Sequence, residues 1–144
     1  MPRHFYRVRP ALAMAFGVLV DRAGERAFCL RARSLATSVQ LRLKPHLLSS
    51  VRDELLMAAQ AYKTEPFSIE PMAPCPMTSP VLLGPFDLDS TVERTRVLPL
   101  RDAPSMALIA EGDLDAAPFQ VEVWATPEQW LALLAQMKRA IESA

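Results

Sequence analysis

Large apolar side chains alternate with small or charged ones along much of the first 44 residues. Between residues 6 and 20 every even position is apolar, whereas the odd positions carry arginine at first and then small residues or leucine. This period of two predicts a β-strand that is interrupted near Pro10, since proline cannot donate a ladder hydrogen bond. An alanine-rich helix over residues 11–20 is the alternative. The same alternation predicts two more strands, over residues 26–33 and 39–44.

Helical spacing of apolar residues follows at two places. Residues 48–62 predict the first helix. Two interpretations of its start remain open, because Ser50 with an aspartate three residues later approximates a capping box, whereas Pro45 suits a first helical turn. The second helix is predicted to begin after Thr126, where a threonine N-cap, a first-turn proline and Gln129 form a capping box.

Six prolines lie between residues 66 and 85, and this proline-rich connector separates two β-rich halves. Such a density excludes a helix or a central strand. The apolar residues among the prolines favour an ordered strap on the surface over a free linker, which would be more polar. Beyond the connector, the pattern predicts a strand over residues 92–100. It also predicts a hairpin of residues 106–110 and 119–124, with its turn beginning at Glu111.

These elements predict an α+β fold: a mostly antiparallel sheet with two helices packed on one face. A length of 144 residues fits a single domain, residues 1–144, with a core large enough to need no disulfide or metal. The ten-residue apolar run before Asp21 is too short to cross a bilayer, and an aspartate at that place does not suit a signal-peptide cleavage site. We therefore expect a cytoplasmic protein with no membrane partner, in which Cys29 and Cys75 are reduced thiols.

Charge is distributed unevenly along the chain, although the formal net charge is zero. Residues 1–72 hold 11 basic and 6 acidic side chains, whereas residues 73–144 hold 5 basic and 10 acidic ones. The zero sum argues against a bulk polyanion binder, but it leaves room for a basic face. The opposite charges of the two halves favour contacts with a second copy or with a protein partner.

Four basic residues fall on the predicted solvent side of neighbouring strands: Arg31, Arg33, Arg42 and Lys44. Such a face could bind the phosphates of single-stranded DNA or RNA, with an aromatic residue of the N-terminal strand stacking on bases. The alternative is a solvated sheet face that the acidic second half partly neutralises.

Trp124 occupies a polar position of its strand, so it is either exposed or covered by the connector. An exposed tryptophan beside Met72 and Met77 of the connector would form a protein interface. We found no nucleotide-binding glycine motif, no HExxH and no paired metal-ligand spacing, so we expect no cofactor, no metal site and no catalytic residues. The leading hypothesis is thus a non-catalytic accessory or assembly protein that acts through protein–protein interaction.

One short motif points to a different function. The segment Phe86-Asp87-Leu88-Asp89-Ser90-Thr91-Val92 resembles the first motif of haloacid-dehalogenase-like phosphatases. The resemblance implies Asp87 as nucleophile and Asp89 as acid/base beside a magnesium ion. It covers seven residues, and Lys138 is the only lysine that follows. A magnesium-dependent phosphatase is therefore the second alternative, after nucleic-acid binding, and an acidic turn is the simpler interpretation.

Overall fold

The computed structural model describes residues 4–20, 22–61, 74–100 and 105–143. Within them the strands are β1 (His4–Val8), β2 (Ala13–Val20), β3 (Arg26–Arg33), β4 (Ser38–Leu43), β5 (Leu88–Val92), β6 (Arg94–Pro99), β7 (Met106–Leu114) and β8 (Ala117–Ala125). The helices are α1 (Pro45–Ala61) and α2 (Pro127–Glu142), and a short 3-10 turn covers Pro80–Leu82. The α+β class is confirmed, and the strands divide into two mostly antiparallel sheets.

Each sheet contains strands from both halves of the sequence. Sheet A has the order β1-β8-β7-β6, and sheet B has the order β2-β3-β4-β5. The N-terminal strand β1 pairs in parallel with β8, whereas β5 pairs in parallel with β4. Each half of the chain therefore adds one strand to the sheet formed mainly by the other half: β1 joins sheet A, and β5 joins sheet B.

Two bends carry the chain from one sheet to the other. At the first, the Ala11 N–H donates to the Trp124 carbonyl at 2.8 Å, and the Leu12 N–H donates to the Arg33 carbonyl at 2.7 Å. At the second, the Glu93 N–H donates to the Glu111 carbonyl at 2.8 Å. Consecutive residues thus bond to different sheets. The break predicted near Pro10 is confirmed, and the alternative helix over residues 11–20 is wrong.

Helix boundaries depend on capping. Before α2, the Thr126 hydroxyl accepts from the Gln129 N–H at 3.2 Å, and the Gln129 side chain accepts from the Thr126 N–H at 2.9 Å. This capping box is as predicted. The first helix begins at Pro45, so the alternative start at Ser50 is wrong. Proline is well suited to a first turn, because the N–H that it lacks would have no helical partner there.

The turn predicted at Glu111 is wrong, because β7 runs on to Leu114. The reversal instead occurs at Asp115 and Ala116, which have φ angles of 50° and 63°. Gly112 lies inside the strand, where a Cβ would sit 2.8 Å from both the Phe119 ring and the Thr91 carbonyl oxygen. This glycine therefore permits close approach rather than a turn.

One apolar cluster joins the inner faces of both sheets with both helices, and Trp130 is its largest fully buried side chain. Each helix packs on a strand of the sheet that it does not follow, α1 on β6 and α2 on β2, and the helices contact each other. A smaller cluster of Ala107, Ile109 and Trp124 lies on the opposite face of sheet A. The side chains of sheet B that point away from the main core form its outer face, which carries the candidate site.

Candidate functional site

The second part of the proline-rich connector lies on the outer face of sheet B. We call residues 74–87 the strap. The Cys75 N–H donates to the Met14 carbonyl of β2 at 3.0 Å, and the Gln136 amide of α2 donates to the Cys75 carbonyl at 3.1 Å. Leu82 is buried, and Met77 lies directly against Gly17, a residue without a side chain. The predicted strap spans residues 66–85; residues 74–85 make these contacts with the sheet and α2, and residues 66–73 lie outside the described residues.

Two of the four predicted nucleic-acid-binding residues hold the strap. The Arg31 guanidinium donates to the Met77 carbonyl at 2.6 Å and to the Gln40 side chain at 2.7 Å, and it lies 5.3 Å from the centre of the Phe86 ring. The Arg33 guanidinium donates to the Val81 carbonyl at 3.2 Å. Neither arginine forms an ion pair with any residue that the structure describes.

The other two predicted residues, Arg42 and Lys44, form ion pairs with acidic side chains in β5 or directly after it. Arg42 forms an ion pair with Asp89 at 3.0 Å, and Lys44 forms one with Glu93 at 2.7 Å. The hydrogen bond and the positive charge of Lys44 lower the pKa of the Glu93 carboxyl. The four basic residues do share one face, as the strand parity indicates, but each already has a partner. Their role in nucleic-acid binding stays a prediction.

Within the described part of the chain, three ion pairs join basic residues of the first half to acidic residues of the second. Arg7 pairs with Glu122 at 3.1 Å across the β1–β8 contact, just as Arg42 and Lys44 pair with acidic residues of the second half. Each of these pairs joins a basic residue of the first half to an acidic residue of the second. The pairing of β1 with β8 and of β4 with β5 therefore places some of the opposite charges of the two halves side by side.

The two predicted protein-interface residues that the structure describes, Trp124 and Met77, lie on different sheets. Trp124 is only 4% exposed, so the alternative of an exposed tryptophan is wrong. Its indole N–H donates to Glu122 at 2.8 Å, and the Arg9 guanidinium lies 4.6 Å from the centre of its ring. Met77 faces Gly17 on the other sheet, and Met72 lies outside the described residues. The contacts described for the strap are with sheet B and α2 rather than with Trp124.

An exposed apolar surface that the sequence analysis missed lies at one end of sheet B. We call Leu35, Val81 and Leu83 the Leu35 patch. Leu35 is 90% exposed at the turn between β3 and β4, and the two strap residues are about half exposed. A cleft of about 380 Å³ separates that turn from the strap, and Leu35, Leu83 and Arg33 are among its lining residues.

The turn that carries Leu35 is held by Ser34. The Ser34 N–H donates to the Thr37 carbonyl at 2.8 Å, and the buried Ser34 hydroxyl accepts from the N–H groups of Thr37 and Ala36 at 3.1 and 3.3 Å. The sequence signal for this surface is an apolar residue, Leu35, within a turn that contains serine and threonine. Its exposure depends on the tertiary fold and could not be read from the turn alone.

The two aspartates of the phosphatase-like motif are engaged with other groups. Asp87 accepts from the Ser38 N–H at 2.8 Å, and Asp89 pairs with Arg42. The last five residues of the segment form the whole of strand β5, so the interpretation as an acidic turn is wrong. Among the described residues, no three acidic, histidine or cysteine side chains come together as a metal site would require.

Cys29 lies in the middle of β3, and burial raises the pKa of its thiol from 9.0 to about 12. The folded state therefore retains a proton that the unfolded state loses above pH 9, so this group makes the free energy of unfolding fall as the pH rises from 9 towards 12.

We expect native protein at pH 8 to be alkylated at partly exposed Cys75 alone, and at both cysteines after unfolding. Intact mass spectrometry counts the labels, and Cys75→Ser serves as the control without a reactive native thiol. Equal labelling rates at both cysteines in folded protein would contradict this expectation.

Comparison with protein-family models, curated proteins and solved structures found no match for this chain. Neither helix in the described part of the chain is long and apolar enough to span a membrane.

Proposed function

We propose that this protein is a non-catalytic accessory or assembly protein that acts through protein–protein interaction at the Leu35 patch. The observation that carries the proposal is a leucine that is 90% exposed on a turn already held by hydrogen bonds. A turn whose backbone is already held loses little conformational freedom on binding, so more of the gain from burying its apolar side chain contributes to affinity. The partly exposed apolar strap residues enlarge the surface that a partner would cover.

The proposal includes a cytoplasmic location. It is supported by the two cysteines, both of which are free thiols, with Cys29 buried where it contributes to packing rather than to a disulfide.

Binding of single-stranded DNA or RNA is the second candidate function. It is supported by the common face of Arg31, Arg33, Arg42 and Lys44. A bound phosphate would compete with strap carbonyls at the first two residues and with carboxylates at the last two. Burial of the exposed Leu35 side chain involves no such competition.

Photo-crosslinking in cells of the native source tests both functions. A photoreactive amino acid replaces Leu35 in one variant and Met57 in the control. Met57 is also apolar and is 72% exposed, but it lies on α1. We expect a higher yield of protein adduct from position 35 than from position 57, because only position 35 would lie against the bound partner. Adding Leu83→Asp to the first variant should reduce the yield.

Equal yields from positions 35 and 57 would overturn the protein-binding proposal, as would a yield that Leu83→Asp leaves unchanged. The purified products are analysed with nucleic acid retained. An adduct to RNA or DNA at position 35, together with binding that weakens steeply as salt is added and is lost in Arg42→Glu/Lys44→Glu, would support the second function instead.

A further inference from the structure

We propose that the occupant of the Leu35 patch is a second copy of this chain, related to the first by a two-fold axis. This inference rests on the proposed function and names its partner. A two-fold interface uses the same surface on both chains, so that surface must be complementary to itself in shape and in charge. The end of sheet B meets both requirements.

Shape complementarity comes from a projection and a cleft side by side. Leu35 projects from the β3–β4 turn, and the cleft of about 380 Å³ beside it is large enough for a leucine side chain. Pro80, Leu83 and Pro85 line the cleft from the strap, and its lining also includes the polar residues Thr37 and Ser38. Under a two-fold rotation, each Leu35 enters the cleft of the other chain.

Charge complementarity comes from Arg33 and Asp87, both exposed and both lining the same cleft. Arg33 pairs in register with Ser38, and the backbone and carboxylate of Asp87 both bond to Ser38. The backbones that carry the two charges therefore lie on opposite sides of Ser38, two strand spacings or about 10 Å apart.

Each charge has only uncharged partners among the described residues: the Val81 carbonyl for Arg33, and the Ser38 N–H for Asp87. A two-fold axis between them would set Arg33 of each chain against Asp87 of the other. The interface would then hold two identical ion pairs around the interlocked leucines. By contrast, Arg42 and Lys44, the other two basic residues of this outer face, already pair with carboxylates of their own chain.

Sedimentation and native mass spectrometry of the purified chain test the inference at concentrations up to about 100 μM, which reaches the affinity of transient interfaces. We expect a concentration-dependent dimer. Leu35→Asp should weaken it at least about tenfold. Met57→Asp, the matched exposed control, should leave it unchanged. Circular dichroism spectra and melting curves establish that the variants are folded.

Complementary charge variants test the two-fold arrangement itself. Arg33→Asp alone places two negative charges on the patch and Asp87→Arg alone places two positive ones, so each variant should be monomeric. An equimolar mixture of the two should form a heterodimer, because every contact across the axis then joins opposite charges. Failure of the mixture to associate would overturn the two-fold pairing, as would a dimer that Leu35→Asp does not weaken.

Photo-crosslinking of a chain that keeps Arg33 and Asp87 tests the same arrangement if a charge variant does not fold. With a photoreactive amino acid in place of Leu35 and a mixture of isotopically light and heavy chains, adducts should join position 35 of one chain to residues 80–87 of the other. A monomeric chain whose position 35 crosslinks to a different protein in cells would overturn the second copy but leave the proposed function standing. A monomer with no protein adduct at all would overturn both.

Discussion

Replacing Trp130 with alanine should lower the free energy of unfolding by about 3–5 kcal/mol, which is the range for truncating a buried tryptophan. The side chain is fully buried where α2 meets the main core. Its indole N–H also donates to the Met106 carbonyl at 2.9 Å, so truncation removes packing and a hydrogen bond together. A loss of this size is a third or more of the stability of a typical domain. Urea unfolding followed by circular dichroism measures it.

Trp130→Phe separates the two contributions and keeps the prediction testable if the alanine variant does not fold. It retains most of the packing but leaves the Met106 carbonyl without its described donor, so we expect a smaller loss of about 1–3 kcal/mol. Lys138→Ala, at an exposed position of the same helix, should stay within about 0.5 kcal/mol of wild type. If both Trp130 variants unfolded like the lysine control, the side chain would not be part of the core.

Local patterns in the sequence were sufficient for most individual elements. The alternation of residues 6–20 identified β1 and β2 together with the break between them, and the Thr126 capping box identified the start of α2. In both cases the determining groups are neighbours along the chain. The Ser50 start was wrong because a polar residue can mimic a cap inside a helix. The Glu111 turn was wrong because a glycine that permits close packing resembles a glycine that permits a turn.

The same patterns could not predict that β1 would join sheet A and that β5 would join sheet B. Parity shows which side chains of β1 face the core, but a parallel partner more than a hundred residues away leaves no local trace in His4–Val8. The meaning of the opposite charges of the two halves depends on this strand pairing. The halves carry opposite charge in sequence, and pairs such as Arg7–Glu122 neutralise it within the fold. Only residues without a carboxylate partner, such as Arg33, remain available for an oriented contact.

The candidate site was partly predictable for the same reason. Strand parity correctly placed Arg31, Arg33, Arg42 and Lys44 on one outer face, because register within a meander is local. It could not show that Arg31 and Arg33 would donate hydrogen bonds to the strap. It also could not show that Leu35 would be left exposed, since that depends on where the strap crosses the sheet.

Gly112→Ala should destabilise the protein by about 3 kcal/mol, the upper end of the range for overpacked sites. The added Cβ would lie 2.8 Å from a ring carbon of Phe119 and 2.8 Å from the Thr91 carbonyl oxygen. The ring could move, but the carbonyl belongs to the backbone of β5 close to the bend at which the chain passes into sheet A. The substitution therefore strains the junction between the sheets, and urea unfolding should show a lower midpoint.

Two further variants identify the cause of that loss. Gly84→Ala is the matched control, because its Cβ would meet only Phe86 atoms at 3.4 Å or more, and its effect should stay within about 0.5 kcal/mol. In a double-mutant cycle, Phe119→Leu should relieve part of the loss, with a favourable coupling of about 1 kcal/mol. The relief must be incomplete, since the Thr91 carbonyl remains in place. Complete relief would assign the whole clash to the ring, whereas an unchanged midpoint in Gly112→Ala would mean that β7 does not pass this close to β5.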